Sequence, residues 1–145
     1  MSKPFQPVMS ASEIDALIAN IFPQIHAGGQ CLYVDDVTPG VAQVRLEPRD
    51  EHLRPGGTVS GPSLFSLVDV AAYVVVMGHI GPVALAVTTN CNINFLRKPE
   101  MRPLVCTASL IKLGKRLCVV EAGIRHVGED DLVAHATLTY SVPPR

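Results

Sequence analysis

Hydrophobic positions recur at helical spacing in two segments of the chain. From Ser12 to Phe22 they follow the i, i+3, i+4, i+7 pattern of an amphipathic helix, for which Ser12 and Asp15 form the predicted N-terminal cap. The second segment, about residues 62 to 79, is apolar on nearly every side, and Pro62 suits the first turn of a helix. A helix that is hydrophobic all round is typical of a buried position, so we expect the rest of the chain to wrap around it.

Alternation of apolar and polar residues predicts strands before and after this second helix. The predicted strands are residues 30–36, 41–47, 84–97, 104–113, 117–127 and 132–142. We therefore predict an α+β fold in one domain, residues 1–145, with an antiparallel sheet of five to six strands around one long buried helix. Such a sheet has open edges, which favours a homo-oligomer.

Composition and charge narrow the classes of partner. With 145 residues, 48% of them hydrophobic, the chain can build one substantial core. A net charge of −1 and the absence of tryptophan argue against a nucleic-acid partner. The longest apolar stretch, Ser63 to Ile80, carries Asp69 and would make a poor membrane span. We see no signal-peptide pattern, and the four widely spaced cysteines predict reduced thiols in a cytoplasmic protein.

Asp69 is the most informative polar residue, because it lies in the middle of the apolar helix. An ionised carboxylate in apolar surroundings is unfavourable unless it is paired or hydrogen-bonded. Carboxylates in such positions serve as general bases or nucleophiles. The alternative is a structural role, in which Asp69 bonds Ser66 or Tyr73 and fixes the packing.

A glycine-rich loop, residues 54–62, leads directly into this helix, and Ser60 or Gly61 is its predicted cap. Free N–H groups at a helix N-terminus can hold an oxyanion, although the loop also suits an ordinary capped helix. Gly61 and Asp69 are eight residues apart, which places them roughly 12 Å apart along one helix. Only a two-fold dimer with antiparallel helices would bring Gly61 of one subunit to Asp69 of the other.

Three segments then carry a combined pattern: GTVSGPSLFSLVD at residues 57–69, NINFLRKP at 92–99 and GKR at 114–116. Together they resemble the hotdog-fold acyl-CoA thioesterases, and most closely the phenylacetate-degradation (PaaI-like) type. The resemblance covers the chain from about Thr38 to Val142. It implies a hotdog fold and hydrolysis of acyl-CoA thioesters to free acid and CoA, with no cofactor and with CoA as part of the substrate.

The resemblance also implies roles for matching residues. The Gly61 amide would polarise the thioester carbonyl, Asp69 would activate water or attack the carbonyl, and Thr88 would orient the water. The family usually has His-Gly-Gly where this chain has Ser60, Gly61 and Pro62. The loss of that histidine leaves a non-catalytic acyl-CoA-binding protein as an alternative.

A hotdog hydratase or dehydratase is a further alternative, because its site typically pairs a carboxylate with a histidine. Of the histidines, His52 precedes the glycine-rich loop, whereas His126 and His135 flank a turn without facing each other. A metal site is not predicted.

Further candidates for substrate binding are polar or cationic side chains. Arg and Lys suit the phosphates of CoA, although each of these cations also suits a solvated turn. Asn90, Asn92 and Asn94 are expected to share a face with Thr88, where they would either line the pocket or pair across strands. We expect an acyl-CoA ligand, a homodimer or a dimer-of-dimers tetramer, and no nucleic-acid or membrane partner. The substrate-binding candidates are Arg54, Ser60, Pro62, Asn90, Arg97, Lys98, Lys115 and Arg116.

Overall fold

The fold is one antiparallel sheet with a long helix packed against it. The computed structural model describes residues 5–144. The predicted α+β class is confirmed, and the ends of the elements differ from the predicted ones by at most three residues. The strand order is β1-β2-β4-β5-β6-β3, so β1 and β3 are the edges. The elements are α1 (Ala11–Ile21), β1 (Leu32–Thr38), β2 (Val41–Leu46), α2 (Gly61–Ile80), β3 (Val87–Phe95), β4 (Leu104–Leu113), β5 (Leu117–His126) and β6 (Ala134–Ser141), with short 3-10 turns at Pro23–His26 and Asp50–His52.

Helix α1 begins earlier than predicted, because Ser10 is its cap. The Ser10 hydroxyl accepts from the Glu13 N–H at 3.2 Å, and the Glu13 carboxylate accepts from the Ser10 N–H at 3.0 Å. This capping box satisfies two N–H groups that lie outside the helical hydrogen-bond pattern. The predicted cap of Ser12 and Asp15 is therefore wrong, and Asp15 instead accepts from the Val34 N–H at 3.2 Å, which joins α1 to β1.

Helix α2 forms the centre of the core, with residues such as Leu67, Ala71 and Val75 fully buried. It is long and apolar enough to cross a membrane by length and composition, but most of it is buried within the protein's own fold. The predicted burial on every side is wrong, because the sheet leaves one face of the helix uncovered. We call this face the open stripe; its partly or fully exposed residues are Gly61, Pro62, Phe65, Ser66, Asp69, Val70 and Tyr73.

Strand β3 contains a bulge that decides which of its side chains face α2. Thr88 lies opposite Tyr140 and Asn90 opposite Thr139, so Thr89 is an extra residue between two paired positions. Thr88 therefore faces α2 with the buried Tyr140, whereas Asn90 lies on the outer face of the sheet. The expectation that Asn90 shares a face with Thr88 is wrong, because one inserted residue reverses the alternation.

The buried side chain of His79 ties the C-terminal end of α2 to the β1–β2 turn. Its Nε2 accepts from the Gly40 N–H at 2.9 Å, and its Nδ1 donates to the Val75 carbonyl oxygen at 2.8 Å. Gly40 has φ +76° at this turn, and a Cβ there would lie 2.9 Å from the Phe5 ring. Only glycine therefore suits this position beside the histidine.

Replacing His79 by leucine is expected to lower the free energy of unfolding by about 1–3 kcal/mol, because the Gly40 N–H would be left unpaired. Urea denaturation measures the effect. His135→Leu is the matched control: His135 lies on the outer face beside Glu121 and is more than a third exposed at its side chain. The control should cost no more than about 0.5 kcal/mol, and equal costs for the two variants would contradict the role of His79.

Candidate active site

Asp69 lies in the open stripe where β3 and β6 approach α2. The Thr88 hydroxyl donates to Asp69 Oδ1 at 2.5 Å, and the Tyr140 hydroxyl lies 2.9 Å from the same oxygen. The Tyr140 hydroxyl is also 2.9 Å from the carbonyl oxygen of Asp69. Ser66 and Tyr73, the partners considered for a structural role, do not bond the carboxylate. Oδ1 is thus held by two hydroxyls, whereas Oδ2 has no hydrogen bond among residues 5–144.

The carboxylate opens into a cleft of about 480 Å³. Two stacked aromatic rings, Tyr73 and Tyr140, lie at its wall with their centroids 6.3 Å apart, and the Tyr73 hydroxyl donates to the Ala84 carbonyl oxygen at 2.8 Å. A mostly apolar cleft with one carboxylate suits an apolar ligand that carries a single reactive polar group. The other lining residues are Ile21, Phe22, Val70, Leu85, Ala86, Val87 and Thr88.

Tyr140 is the residue of this site that sequence analysis missed. It is only 3% exposed, and burial, with a further contribution from the charge of Asp69, raises the pKa of its hydroxyl far above the usual range. The hydroxyl therefore stays protonated and can donate. Thr88 pairs with Tyr140 across β3 and β6, and because local alternation does not encode this register, no local sequence signal points to Tyr140.

Gly61 lies at the N-terminal end of the open stripe, in the first turn of α2. The structure selects Ser60 as the cap: its hydroxyl accepts from the Ser63 N–H at 3.3 Å, and its carbonyl oxygen accepts from the Leu64 N–H at 3.1 Å. Pro62 has no N–H to donate. Within the described residues, the Gly61 N–H is consequently the one donor of this first turn without a hydrogen-bond partner.

Ser60 and Ser63 also anchor the loop where the family motif has a histidine. The Ser60 N–H and the Ser63 hydroxyl both donate to the His52 carbonyl oxygen, at 2.8 and 3.1 Å. The His52 ring is engaged elsewhere: Nδ1 accepts from the Arg49 N–H at 2.8 Å, and Nε2 is 3.8 Å from Cys31 Sγ. The cleft that Asp69 lines contains no histidine among the described residues of this chain.

The predicted cations fall into two groups at different places. Arg54, Arg97 and Lys98 are exposed and line a depression of about 320 Å³ together with Gly61. This depression is separate from the cleft that Asp69 lines. Asn90, on the outer face of β3, lines neither of them.

Lys115 and Arg116 form the second group, in the turn between β4 and β5. The next residue, Leu117, lies opposite Ser141, which in turn lies opposite Val87 at the start of β3. These cations are therefore at the end of the sheet where Thr88 meets Asp69. Among residues 5–144, no group of three or more His, Cys, Asp or Glu side chains is arranged to hold a metal ion.

Cys91 offers a direct measure of the charge on Asp69. Burial raises the pKa of the Cys91 thiol, and the negative charge of Asp69 raises it further. Asp69→Asn removes that charge, so the pKa of Cys91 should fall and its thiolate fraction should rise. We expect faster alkylation of Cys91 by iodoacetamide at pH 8, by less than about tenfold, measured by peptide mass spectrometry.

The control for this prediction is Asp36→Asn, which removes an exposed carboxylate from β1 at the opposite edge of the sheet. It should leave the alkylation rate of Cys91 unchanged. The same rate in wild type and in the Asp69 variant would show that no charge on Asp69 acts on this thiol.

Comparisons with known proteins agree with this architecture. The sequence model of the thioesterase superfamily matches residues 56–134. A candidate thioesterase from Silicibacter sp. TM1040 is 42% identical, with 97% of this chain and 96% of that chain covered and a TM-score of 0.86. A mutant of the phenylacetic acid degradation protein PaaI from Thermus thermophilus is 27% identical over 83% of this chain and 99% of that chain, with a TM-score of 0.70.

A Streptococcus mutans protein solved with acetyl CoA bound is 24% identical and shares the fold, with 80% of this chain and 91% of that chain covered and a TM-score of 0.70. The predicted hotdog fold and the predicted family are both confirmed by these comparisons. This chain is a thioester hydrolase that belongs to the thioesterase superfamily.

Proposed function

We propose that the protein hydrolyses acyl-CoA thioesters to a free acid and CoA, in a site shared between two copies of the chain. The observation that carries the proposal is the Asp69 carboxylate at the wall of a mostly apolar cleft, with Oδ1 held by two hydroxyls and Oδ2 without a hydrogen bond in the described part of the chain. Membership of the thioesterase superfamily supports the reaction. The acetyl CoA bound to the Streptococcus mutans protein supports CoA as part of the substrate.

Asp69 would act through Oδ2 by one of two routes. As a general base, it takes a proton from a water molecule whose oxygen attacks the thioester carbonyl carbon. As a nucleophile, Oδ2 attacks that carbon itself and forms a mixed anhydride, which water then cleaves. In both routes the C–S bond breaks and CoA leaves as the thiol or thiolate. The Thr88 proton points at Oδ1, so the Thr88 oxygen is available to accept a hydrogen bond from the water.

The Gly61 N–H is the proposed donor to the oxyanion that forms on the thioester oxygen. Helix geometry places Gly61 roughly 12 Å from Asp69 in the same chain, too far for both to contact one carbonyl group. Two copies with antiparallel α2 helices would bring Gly61 of each to Asp69 of the other. Each dimer would then hold two equivalent sites.

The open stripe and the β3 edge supply a surface for this pairing. Strand β3 pairs with β6 alone within the described residues, so its other edge presents unpaired N–H and C=O groups. Large apolar side chains are exposed along the same surface: Phe65 at 41%, Val87 at 56%, Phe95 at 52% and Leu96 at 54%. A second copy would bury this area and extend the sheet. We therefore propose a homodimer as the minimal active unit; a dimer-of-dimers tetramer would need a further interface.

The same pairing would gather the cations around one substrate. Arg97 and Lys98 accompany Gly61, whereas Lys115 and Arg116 lie at the end of the sheet near Thr88. In the proposed dimer, one pair from each subunit would flank the same site. Four cations suit the phosphates of CoA, which are the part of the substrate farthest from the thioester.

Hydrolysis consumes only water besides the thioester and has no redox step, so the proposal includes no cofactor. We propose a cytoplasmic location, because Cys31, Cys91 and Cys106 are thiols outside any disulfide and such thiols persist in a reducing compartment.

Asp69→Asn should lower kcat by about a thousandfold, because the amide neither accepts the proton nor attacks the carbonyl. Gly61→Pro should lower kcat by about a hundredfold, because the amide proton is lost at a helical position that tolerates proline.

Mixed dimers of the Asp69→Asn and Gly61→Pro variants would contain one intact site and one doubly altered site. We expect them to recover about half of the activity of the wild-type dimer, measured by CoA release after purification through two different tags.

Gly61→Ala is the matched control for Gly61→Pro, since it retains the N–H and places a Cβ 3.4 Å from the Phe95 ring. It should lose far less activity than the proline variant. Mixed dimers as inactive as the two parents would exclude the shared site, and an Asp69→Asn variant with unchanged turnover would exclude the proposed hydrolysis mechanism.

The double variant Lys115→Gln/Arg116→Gln should raise KM for acyl-CoA about tenfold and leave kcat unchanged, since these cations would contact phosphates away from the reacting carbonyl. The internal control is the acyl-pantetheine thioester, which lacks the nucleotide and its phosphates. Its KM should be the same in wild type and variant. Equal changes in KM for both substrates would show that Lys115 and Arg116 do not act by binding the CoA phosphates.

A further inference from the structure

Tyr140 and Thr88 reach the same oxygen of Asp69 from two neighbouring strands, β6 and β3. A single hydroxyl would restrain a carboxylate but leave it free to pivot about that one bond. Two donors in fixed directions define both the position of Oδ1 and the plane of the group. The backbone carbonyl oxygen of Asp69 also lies 2.9 Å from the Tyr140 hydroxyl, so the single hydroxyl proton is shared between two acceptors of Asp69 and holds the side chain relative to its own turn of α2.

We propose that Tyr140 is a positioning residue of the thioesterase: with Thr88 it fixes Oδ1 of Asp69 and leaves Oδ2 as the reacting oxygen. This inference rests on the hydrolysis proposed above, in which Asp69 carries the chemistry. It assigns the two carboxylate oxygens different tasks. Oδ1 receives hydrogen bonds that stabilise the charge, and Oδ2 faces the substrate.

The surroundings of Tyr140 suit a residue that positions Asp69 rather than one that transfers a proton. Its side chain is buried at 3% exposure, and its ring stacks on Tyr73 with an interplanar angle of 30°. Burial raises the pKa of the phenol far above its usual range, so the hydroxyl stays protonated and can donate to Asp69 Oδ1. Because this hydroxyl bonds Asp69 Oδ1 and Tyr140 is almost fully buried, its contribution in this proposal passes through Asp69.

Tyr140→Phe is the decisive variant, because it keeps the ring and its stacking but removes the hydroxyl. We expect kcat to fall at least about tenfold, because the carboxylate loses one of its two donors. KM should stay within about twofold, since the cleft keeps its shape. The matched control is Tyr33→Phe, which removes a hydroxyl bonded to the Gln30 carbonyl oxygen on the β1 side of the sheet and should leave kcat and KM unchanged.

A second measurement does not depend on turnover. In urea denaturation, Tyr140→Phe should lower the midpoint by less in an Asp69→Ala background than in wild type, because the carboxylate partner is already gone. Equal shifts in the two backgrounds would overturn the inference, as would an unchanged kcat in Tyr140→Phe beside an active wild type. A third outcome separates the two proposals. If the midpoint shift is smaller in the Asp69→Ala background but the wild type hydrolyses no acyl-CoA, the proposed hydrolysis is refuted and the hydrogen bond from Tyr140 to Asp69 is supported.

Discussion

Helix α2 is held in place by the burial of its apolar side chains against one antiparallel sheet. The candidate site lies on the face of the helix that this sheet does not bury. The helix carries apolar residues on all sides, but a sheet in one chain covers only part of its circumference. The remaining face, the open stripe, contains Gly61 near one end and Asp69 near its middle. The two candidate catalytic residues therefore lie on the part of α2 that a single chain does not cover.

The second constraint is electrostatic. Burying a carboxylate on an apolar helix is unfavourable unless its oxygens accept hydrogen bonds. Thr88 and Tyr140 supply them from adjacent strands, and both bonds go to Oδ1. The interaction that makes the charge tolerable in the fold thus also orients the carboxylate. In the proposed mechanism, the fold would use one oxygen of this side chain and the reaction the other, so that a reactive group could lie next to the core.

The start of α2 follows a similar logic. A helix begins with N–H groups that lack hydrogen-bond partners within the helix. In α2, neighbouring residues of the first turn provide partners for most of these groups. Ser60 accepts from Ser63 and Leu64, and Pro62 has no N–H. What remains is the amide of Gly61. Ser60 also helps to hold the loop through the His52 carbonyl oxygen, so the turn is ordered without a histidine at position 60.

Hydrophobic periodicity by itself determined the α+β class, the order of elements and the central helix, because burial imposes periods of 3.6 and 2 on the chain. The break in apolar character at Asp69 also identified the candidate carboxylate. Only the tertiary structure decided the rest. The bulge at Thr89 moved Asn90 to the outer face, and the register of β3 against β6 brought Tyr140 to Asp69. Both depend on pairing between strands distant in the chain, which local alternation does not encode.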